Sequence, residues 1–172
     1  MKEIRGDLFT TPCDALCITT NGYVTKAGKA VMGRGCALQI AKMKPDIKDI
    51  LGNLILLNGN HVYPLCTANK KTRAIVSFPV KPRERRVVKP TDVVTHMRDR
   101  LPVGSIAPGW AVTASTSLIQ RSAYELIELT EVMGWKNVLL PRPGTGAGEL
   151  QWSTVAPLLA DILDDRFTCI TF

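Results

Sequence analysis

The stretch Leu140-Pro141-Arg142-Pro143-Gly144-Thr145-Gly146-Ala147-Gly148-Glu149-Leu150-Gln151-Trp152 decides how this chain is read. It leaves a short apolar run, Asn137 to Leu140, and enters an apolar stripe at helical spacing: Val155, Leu158, Leu159, Ile162 and Leu163. Pro157 is placed in the first turn of that helix, where proline is tolerated. Strand, glycine-rich turn and helix in this order expose backbone amides where anions bind in open α/β sheets. The Gly144-x-Gly146-x-Gly148 spacing is not the dinucleotide pattern G-x-G-x-x-G, but its setting suits the same task.

Thr20-Asn21-Gly22-Tyr23-Val24-Thr25-Lys26-Ala27-Gly28-Lys29-Ala30-Val31-Met32-Gly33-Arg34-Gly35 has the same setting. It follows a strand predicted over Ala15 to Thr20. It opens a helix predicted over Ala27 to Lys42, with Pro45 beyond its end. Gly22 to Lys29 is one residue too long for a phosphate-binding P-loop, and Ala30 stands where a Mg²⁺-binding Ser or Thr is needed, which excludes that class of nucleotide triphosphatase. Small residues still let backbone N–H groups approach an anion. Taken alone, the stretch reads equally as a plain strand-to-helix connection. Two such loops in one small domain suggest the two walls of a cleft, with a diphosphate between them.

The rest of the chain fits a layered α/β domain. Leu54 to Leu57, His61 to Cys66 and Ala74 to Val80 read as strands, with a hairpin at Asn58-Gly59-Asn60. A helix is predicted over Thr91 to Leu101 with Thr91 as cap, then a loop from Leu101 to Trp110. Thr116 to Met133 is the clearest helix, ended by Gly134, and Phe167 to Phe172 is a closing strand. Strands alternating with helices around a hairpin give an α/β fold with a mixed sheet. A length of 172 residues, 45% of them hydrophobic, predicts one domain spanning 1–172 with a single packed core.

No apolar run reaches the roughly 18 residues of a membrane span, and the start lacks the apolar stretch of a signal peptide. Five widely spaced cysteines, no C-x-x-C and two histidines speak against a disulfide framework and a zinc site. The expectation is a reduced, cytoplasmic, monomeric domain with no metal and no cofactor.

The net charge of +7 has one source. Residues 69 to 100 hold Lys70, Lys71, Arg73, Lys81, Arg83, Arg85, Arg86, Lys89, Arg98 and Arg100 against Glu84, Asp92 and Asp99, and the remainder is balanced. Such a window favours polyanions, nucleic acid or a phosphorylated ligand, over a neutral partner, although it also reads as a solvated basic loop. No stacking aromatics are interleaved with the charges from Lys81 onward; Phe78 precedes that cluster and Trp110 follows it, which weakens a base-stacking platform.

Four stretches in order resemble a macrodomain. They are Gly6-Asp7-Leu8, the strand ending in Thr19-Thr20-Asn21, Ala27-Gly28-Lys29-Ala30-Val31, and Pro141-Arg142-Pro143-Gly144-Thr145-Gly146. The resemblance spans nearly the whole chain and implies a three-layer α/β/α fold with an ADP-ribose pocket. Within the family it is most similar to the branch holding the terminal ADP-ribose protein glycohydrolase and the antitoxin macrodomains that remove ADP-ribose from DNA. Gly144-x-Gly146 leading into Leu150-Gln151-Trp152 carries that likeness.

By this resemblance Asp7 accepts a hydrogen bond from the adenine amino group, with the Leu8 backbone beside it. Without it, Asp7 reads equally as a turn or cap residue. Thr20 and Asn21 would lie near the distal ribose. Ala27, Gly28, Ala30 and Val31 would pass the distal ribose and diphosphate. Gly144, Thr145, Gly146, Ala147 and Gly148 would wrap the diphosphate.

Lys81 falls where that branch carries a lysine that attacks the ribose anomeric carbon. It could instead contact phosphate or simply be solvated. Nearby Arg83, Arg85 and Arg86, if close in space, would lower its pKa. One departure is Gly148, where the human-type glycohydrolase carries an aspartate; the DNA-directed antitoxin macrodomains tend to carry glycine there. The resemblance thus implies an ADP-ribosyl glycohydrolase acting on a modified macromolecule, DNA favoured over protein. A non-catalytic ADP-ribose binding module and an ADP-ribose 1″-phosphate phosphatase are the alternatives.

Overall fold

The computed structural model describes residues 1–67 and 72–171. The expected basic residues Lys70 and Lys71 and the closing Phe172 lie outside the described residues. In chain order the elements are β1 (Lys2–Arg5), β2 (Cys13–Asn21), α1 (Gly35–Met43), α2 (Ile47–Asn58), β3 (Pro64–Cys66), β4 (Thr72–Lys81), β5 (Glu84–Arg86), β6 (Ile106–Pro108), α3 (Thr116–Met133), β7 (Val138–Pro141), α4 (Trp152–Ala160) and β8 (Phe167–Thr171). Six strands form one sheet in the order β1-β8-β7-β2-β4-β3, parallel except for β3, which runs antiparallel to β4.

Alternation along β2 builds the layers. Ala15 and Cys17 point to one face and Leu16 and Ile18 to the other, as the two-residue period of a strand requires. On the first face they meet Ile119, Ala123 and Leu126 of α3 and Val155 and Leu159 of α4. On the second, Ile18 and Ile75 pack against Ala37 and Ile40 of α1 and Leu51 and Ile55 of α2. The result is a three-layer α/β/α domain. β2 lies between β7 and β4, so the connections leaving their carboxyl ends diverge there and open a crevice.

Several sequence expectations need correction. Leu54 to Leu57 is not a strand but the last turns of α2, whose Ile47, Leu51 and Ile55 repeat every four residues. The stripe begins at Ile47, upstream of the apolar run, so a short window mistakes it for a strand. Asn58-Gly59-Asn60 is therefore a helix end, with Gly59 at φ 93°, and not a hairpin. Of His61 to Cys66, only Pro64–Cys66 is a strand. The helix expected over Ala27 to Lys42 begins at Gly35, because Gly28 and Gly35 take positive φ and Ala30 donates its N–H to Lys48 O.

Thr91 to Leu101 is not a helix. It forms two short 3-10 turns, and the consecutive Val93 and Val94 are both buried, which a one-sided helical stripe does not allow. Thr91 does not cap it; Asp92 accepts from the N–H groups of Val88 and Lys89. The expected loop Leu101 to Trp110 contains β6, paired with β5 over a small core of Val87, Val93, Ala107 and Val112. Pro157 is the sixth residue of α4, not in its first turn. The exposed strand β1 has no alternating pattern to reveal it. No helix among the described residues is long and apolar enough to cross a membrane.

Candidate functional site

The crevice at the carboxyl ends of β2, β4 and β7 is a cleft of about 540 Å³, within the usual range for small-molecule sites. The loop after β7 forms one wall. Arg142 anchors it: its guanidinium meets Glu3 Oε2 at 3.1 Å and lies 4.9 Å over the Trp152 ring, while Trp152 Nε1 donates to the same carboxylate at 3.1 Å. The loop then winds on itself. Leu150 N donates to Gly144 O and Glu149 N to Gly146 O, both at 3.0 Å, and Ala114 N donates to Gly148 O at 2.9 Å. The backbone amides of Thr145, Gly146, Ala147 and Gly148 donate to no group among the described residues. Four consecutive unused donors at a cleft wall attract an anion.

The facing wall differs from the one the sequence suggests. Val31 lines the cleft, but Ala27, Gly28 and Ala30 do not; Met32, Gly33, Arg34 and Gly35 take their place. Gly28 and Ala30 turn to α2 instead. A Cβ on Gly52 would strike the Gly28 carbonyl oxygen, and Ala30 is buried with Leu51 and Ile55. Asn21 fixes this loop by donating from Nδ2 to Val31 O (2.8 Å) and accepting from Tyr23 N at Oδ1 (3.0 Å). The amides of Met32, Gly33 and Arg34 are also unused among the described residues, ahead of the N-terminus of α1.

Thr20 and Asn21, at the end of β2, line the floor, and the register of β2 against β4 shifts between them. Thr20 is 5% exposed, and its Oγ1 has no hydrogen-bond partner among the described residues. Leu8 and Phe9 line one end of the cleft. Asp7 stands just outside it, exposed, with Oδ1 accepting from Phe9 N at 2.8 Å. That bond makes Asp7 a turn-former whatever else it does.

Lys81 ends β4 inside the cleft with 6% of its surface exposed. Its ammonium donates to Ala147 O at 2.7 Å and to Trp110 O at 3.4 Å, so it touches the loop after β7 and not the loop after β2. Burial lowers its pKa to about 8, helped by the charges of Arg34 and Arg85 and opposed by Glu149. Of the three arginines suspected from sequence, only Arg85 acts this way; Arg34, across the cleft, was not suspected.

Glu149 has the one positive φ among non-glycine residues described, 60°, and its carboxylate turns to the Thr95 N–H (2.8 Å) and hydroxyl (3.0 Å). At position 148 itself a Cβ would strike Gly144 O and lie 2.7 Å from the Ala114 Cβ. The backbone geometry thus admits glycine where the related hydrolase carries an acid.

Sequence reasoning missed Phe9, Arg34, Cys36, His96, Trp110 and Arg142 as cleft residues. His96 Nε2 and Arg34 Nη2 are 3.1 Å apart, so a 3-10 turn from the basic window reaches the first wall. Trp110, 37% exposed, is set beside Lys81 by Gly109, where a Cβ would strike Pro82 O. Its sequence signal was an aromatic beside a Gly-Pro turn; the others carried none. Among the described residues no three His, Cys, Asp or Glu cluster to hold a metal, and none of the five cysteines is joined in a disulfide.

No family model matches the chain, and no curated protein matches it in sequence. Solved structures do match. The macrodomain of Mycobacterium tuberculosis DarG superposes with a TM-score of 0.71 at 20% identity, over 98% of this chain and 95% of that one. The macrodomain of Thermus aquaticus DarG gives 0.69 at 20% identity, over 99% and 97%. The chain has the macrodomain fold. Thermosipho africanus DarTG, solved in complex with ADP-ribose, gives 0.67 at 18% identity over 98% of this macrodomain chain and 41% of its own length.

Proposed function

We propose that this macrodomain binds ADP-ribose in the cleft and hydrolyses it from a modified macromolecule, nucleic acid rather than protein. The observation that carries the reading is Lys81. It is a buried amine with a pKa of about 8, in a cleft whose walls present unused backbone amides. The amides of Thr145 to Gly148 and of Met32 to Arg34 suit the two phosphates. Thr20 Oγ1 and Asn21 lie where the distal ribose would sit, and Asp7 and Leu8 flank the adenine end. The chain's similarity in fold to a protein solved with ADP-ribose supports that ligand.

In the proposed reaction, Lys81 loses a proton to solvent. Its nitrogen lone pair then bonds to the ribose anomeric carbon. The bond from that carbon to the macromolecule breaks, its electron pair leaves with the macromolecule, and the departing atom takes up a proton. Water next displaces the lysine, freeing ADP-ribose and restoring the amine. A lysine serves as nucleophile only to the extent that it is deprotonated, and burial supplies that fraction near neutral pH. Gly148 and the basic residues Arg83 and Arg85 support nucleic acid as the carrier, because phosphates beside a modified base need counter-charge.

The test is a substrate panel: ADP-ribosylated single-stranded DNA, ADP-ribosylated protein and ADP-ribose 1″-phosphate. The expected result is release of ADP-ribose from DNA that disappears in Lys81→Ala while free ADP-ribose still binds by calorimetry. Binding without release from any substrate would leave a binding module. Phosphate release unaffected by Lys81→Ala would make the protein a phosphatase.

A further inference from the structure

A second cavity lies directly behind Lys81. It is a groove of about 590 Å³ lined by Pro82, Arg83, Arg85, Arg121, Asn60 and the hydroxyls of Ser115 and Ser117. Cleft and groove share one wall, the carboxyl end of β4: Lys81 lines the first and Pro82 the second. Asn60 ties the two together. Its Nδ2 donates to Lys81 O at 3.0 Å, and its backbone oxygen accepts from Arg121 Nη2. Gly22 N braces the same carbonyls, donating to Lys81 O and Pro82 O.

The groove is cationic. Three arginines line it against one acidic residue, Glu84. Arg121 is partly engaged, with Glu125 Oε1 3.1 Å from its Nε. Arg85 Nη1 reaches Thr113 Oγ1 at 3.5 Å. Arg83 is exposed and its side chain has no hydrogen bond or ion pair among the described residues. The groove has no aromatic residue and two apolar side chains, Pro82 and Leu118, so it offers no aromatic face for a base to stack on. Guanidinium groups without a stacking surface read a phosphate backbone and not a base sequence.

We infer that this groove holds the phosphates of the nucleic-acid strand next to the nucleotide whose ADP-ribose is in the cleft. Its place as the continuation of the substrate rests on the reading of the cleft given above. The strand enters at Lys81, passes Pro82 and meets Arg83 first, so Arg83 carries the largest share of the contact. Binding there is independent of base sequence and falls with salt.

The test uses the intact protein and a short mixed-sequence, single-stranded oligodeoxynucleotide without ADP-ribose, followed by fluorescence anisotropy across a salt series. Arg83→Gln is expected to weaken binding about threefold to tenfold at low salt and to reduce the slope of log affinity against log salt by about 0.7, one phosphate contact on a single strand. Arg83→Glu weakens it further. Arg86→Gln removes the same charge from the same basic window but outside the groove, and is expected to change binding less than twofold. Affinity for free ADP-ribose stays unchanged in all three.

Equal losses in Arg83→Gln and Arg86→Gln would overturn the proposal in favour of diffuse charge. So would an oligoglutamate peptide that binds as tightly as the oligonucleotide and depends equally on Arg83; the groove would then take acidic protein segments. If ADP-ribose fails to bind while DNA binding depends on Arg83, the reading of the cleft falls, and with it the groove as a substrate continuation. If ADP-ribose is released from DNA at the same rate and the same salt dependence in Arg83→Glu, the groove alone falls.

Discussion

The two glycine-rich loops leave neighbouring parallel strands at the same end of the sheet, yet their glycines answer to different demands. In the loop after β7, Gly144 (φ 77°) and Gly148 have no room for a side chain, because Ala114 and Ile119 press on them from behind; Gly146 faces open space. In the loop after β2, Gly28, Gly33 and Gly35 meet nothing within 4 Å; close approach demands glycine only at its start, where a Cβ on Gly22 would meet Asn60 and Arg83 N, and at Gly52 in α2, under the Gly28 carbonyl. The later loop is wound tight and offers its amides. The earlier one is propped on a helix and offers only its last residues. A glycine-rich stretch therefore marks a wall of a site only when its own hydrogen bonds leave donors over.

The comparison can be broken hardest at Lys81, which is bonded to the later loop and to Trp110 O but not to the earlier loop. Lys81→Ala is expected to cut ADP-ribose release by on the order of 10³-fold, with ADP-ribose affinity retained. In the wild type, release should rise about tenfold per pH unit below about 8 and level off above it, because the neutral amine is the reactive form. The same shift fixes a stability trend. The folded pKa lies below the ordinary 10.5, so between about 8 and 10.5 the unfolded chain binds more protons, and stability rises with pH across that window. Holding the charge in a buried site costs up to about 3 kcal/mol below pH 8. Lys81→Met is expected to be at least as stable as wild type at neutral pH by thermal melts. A pH-independent rate, or a melting point that falls steeply in Lys81→Met, would remove the argument for a nucleophile.

Next come the two kinds of glycine within the later loop. Gly148→Ala drives a methyl group into Gly144 O and Ala114, and should lower stability by about 2–3 kcal/mol in denaturant titrations. Gly146→Val has space and should leave stability within about 0.5 kcal/mol of wild type. It should nevertheless weaken ADP-ribose binding at least tenfold, because its side chain projects where the diphosphate lies. Normal binding by Gly146→Val in calorimetry would show that the diphosphate does not use this wall.

The sequence made the later wall readable because strand, loop and helix follow one another directly and the apolar pattern on either side is unambiguous. The long helix α3 and the strands β2, β4, β7 and β8 were readable for the same reason. In the earlier stretch the start of the helix was misplaced by several residues. Ala30, Val31, Ala37, Leu38 and Ala41 imitate one helical face, but Ala30 is buried by contact with α2 and not by helix periodicity. The segment from Val87 to Val112 was unreadable because its small core joins residues far apart in the chain, through β5 and β6 of three residues each. Trp110 and His96 reach the cleft through that segment's tertiary packing, which no local pattern encodes. Lys81 was found by resemblance, whereas its burial and its partner Ala147 depend on the later loop folding back across β4.

The smallest expected effect falls on the earlier loop and decides whether its front half belongs to the wall. Gly28 takes φ 78°, so Gly28→Ala is strained by about 1 kcal/mol, yet an added methyl group meets nothing within 4 Å. If the cleft begins only at Val31, this variant loses that small stability and binds ADP-ribose as the wild type does. If the residues from Ala27 onward pass the ribose and diphosphate, as the family resemblance implies, binding drops well beyond what the stability loss explains. Unfolding and calorimetry on the same preparation separate the two, because a methyl group on Gly28 meets no protein atom within 4 Å and can weaken binding only by touching the ligand or by moving the loop.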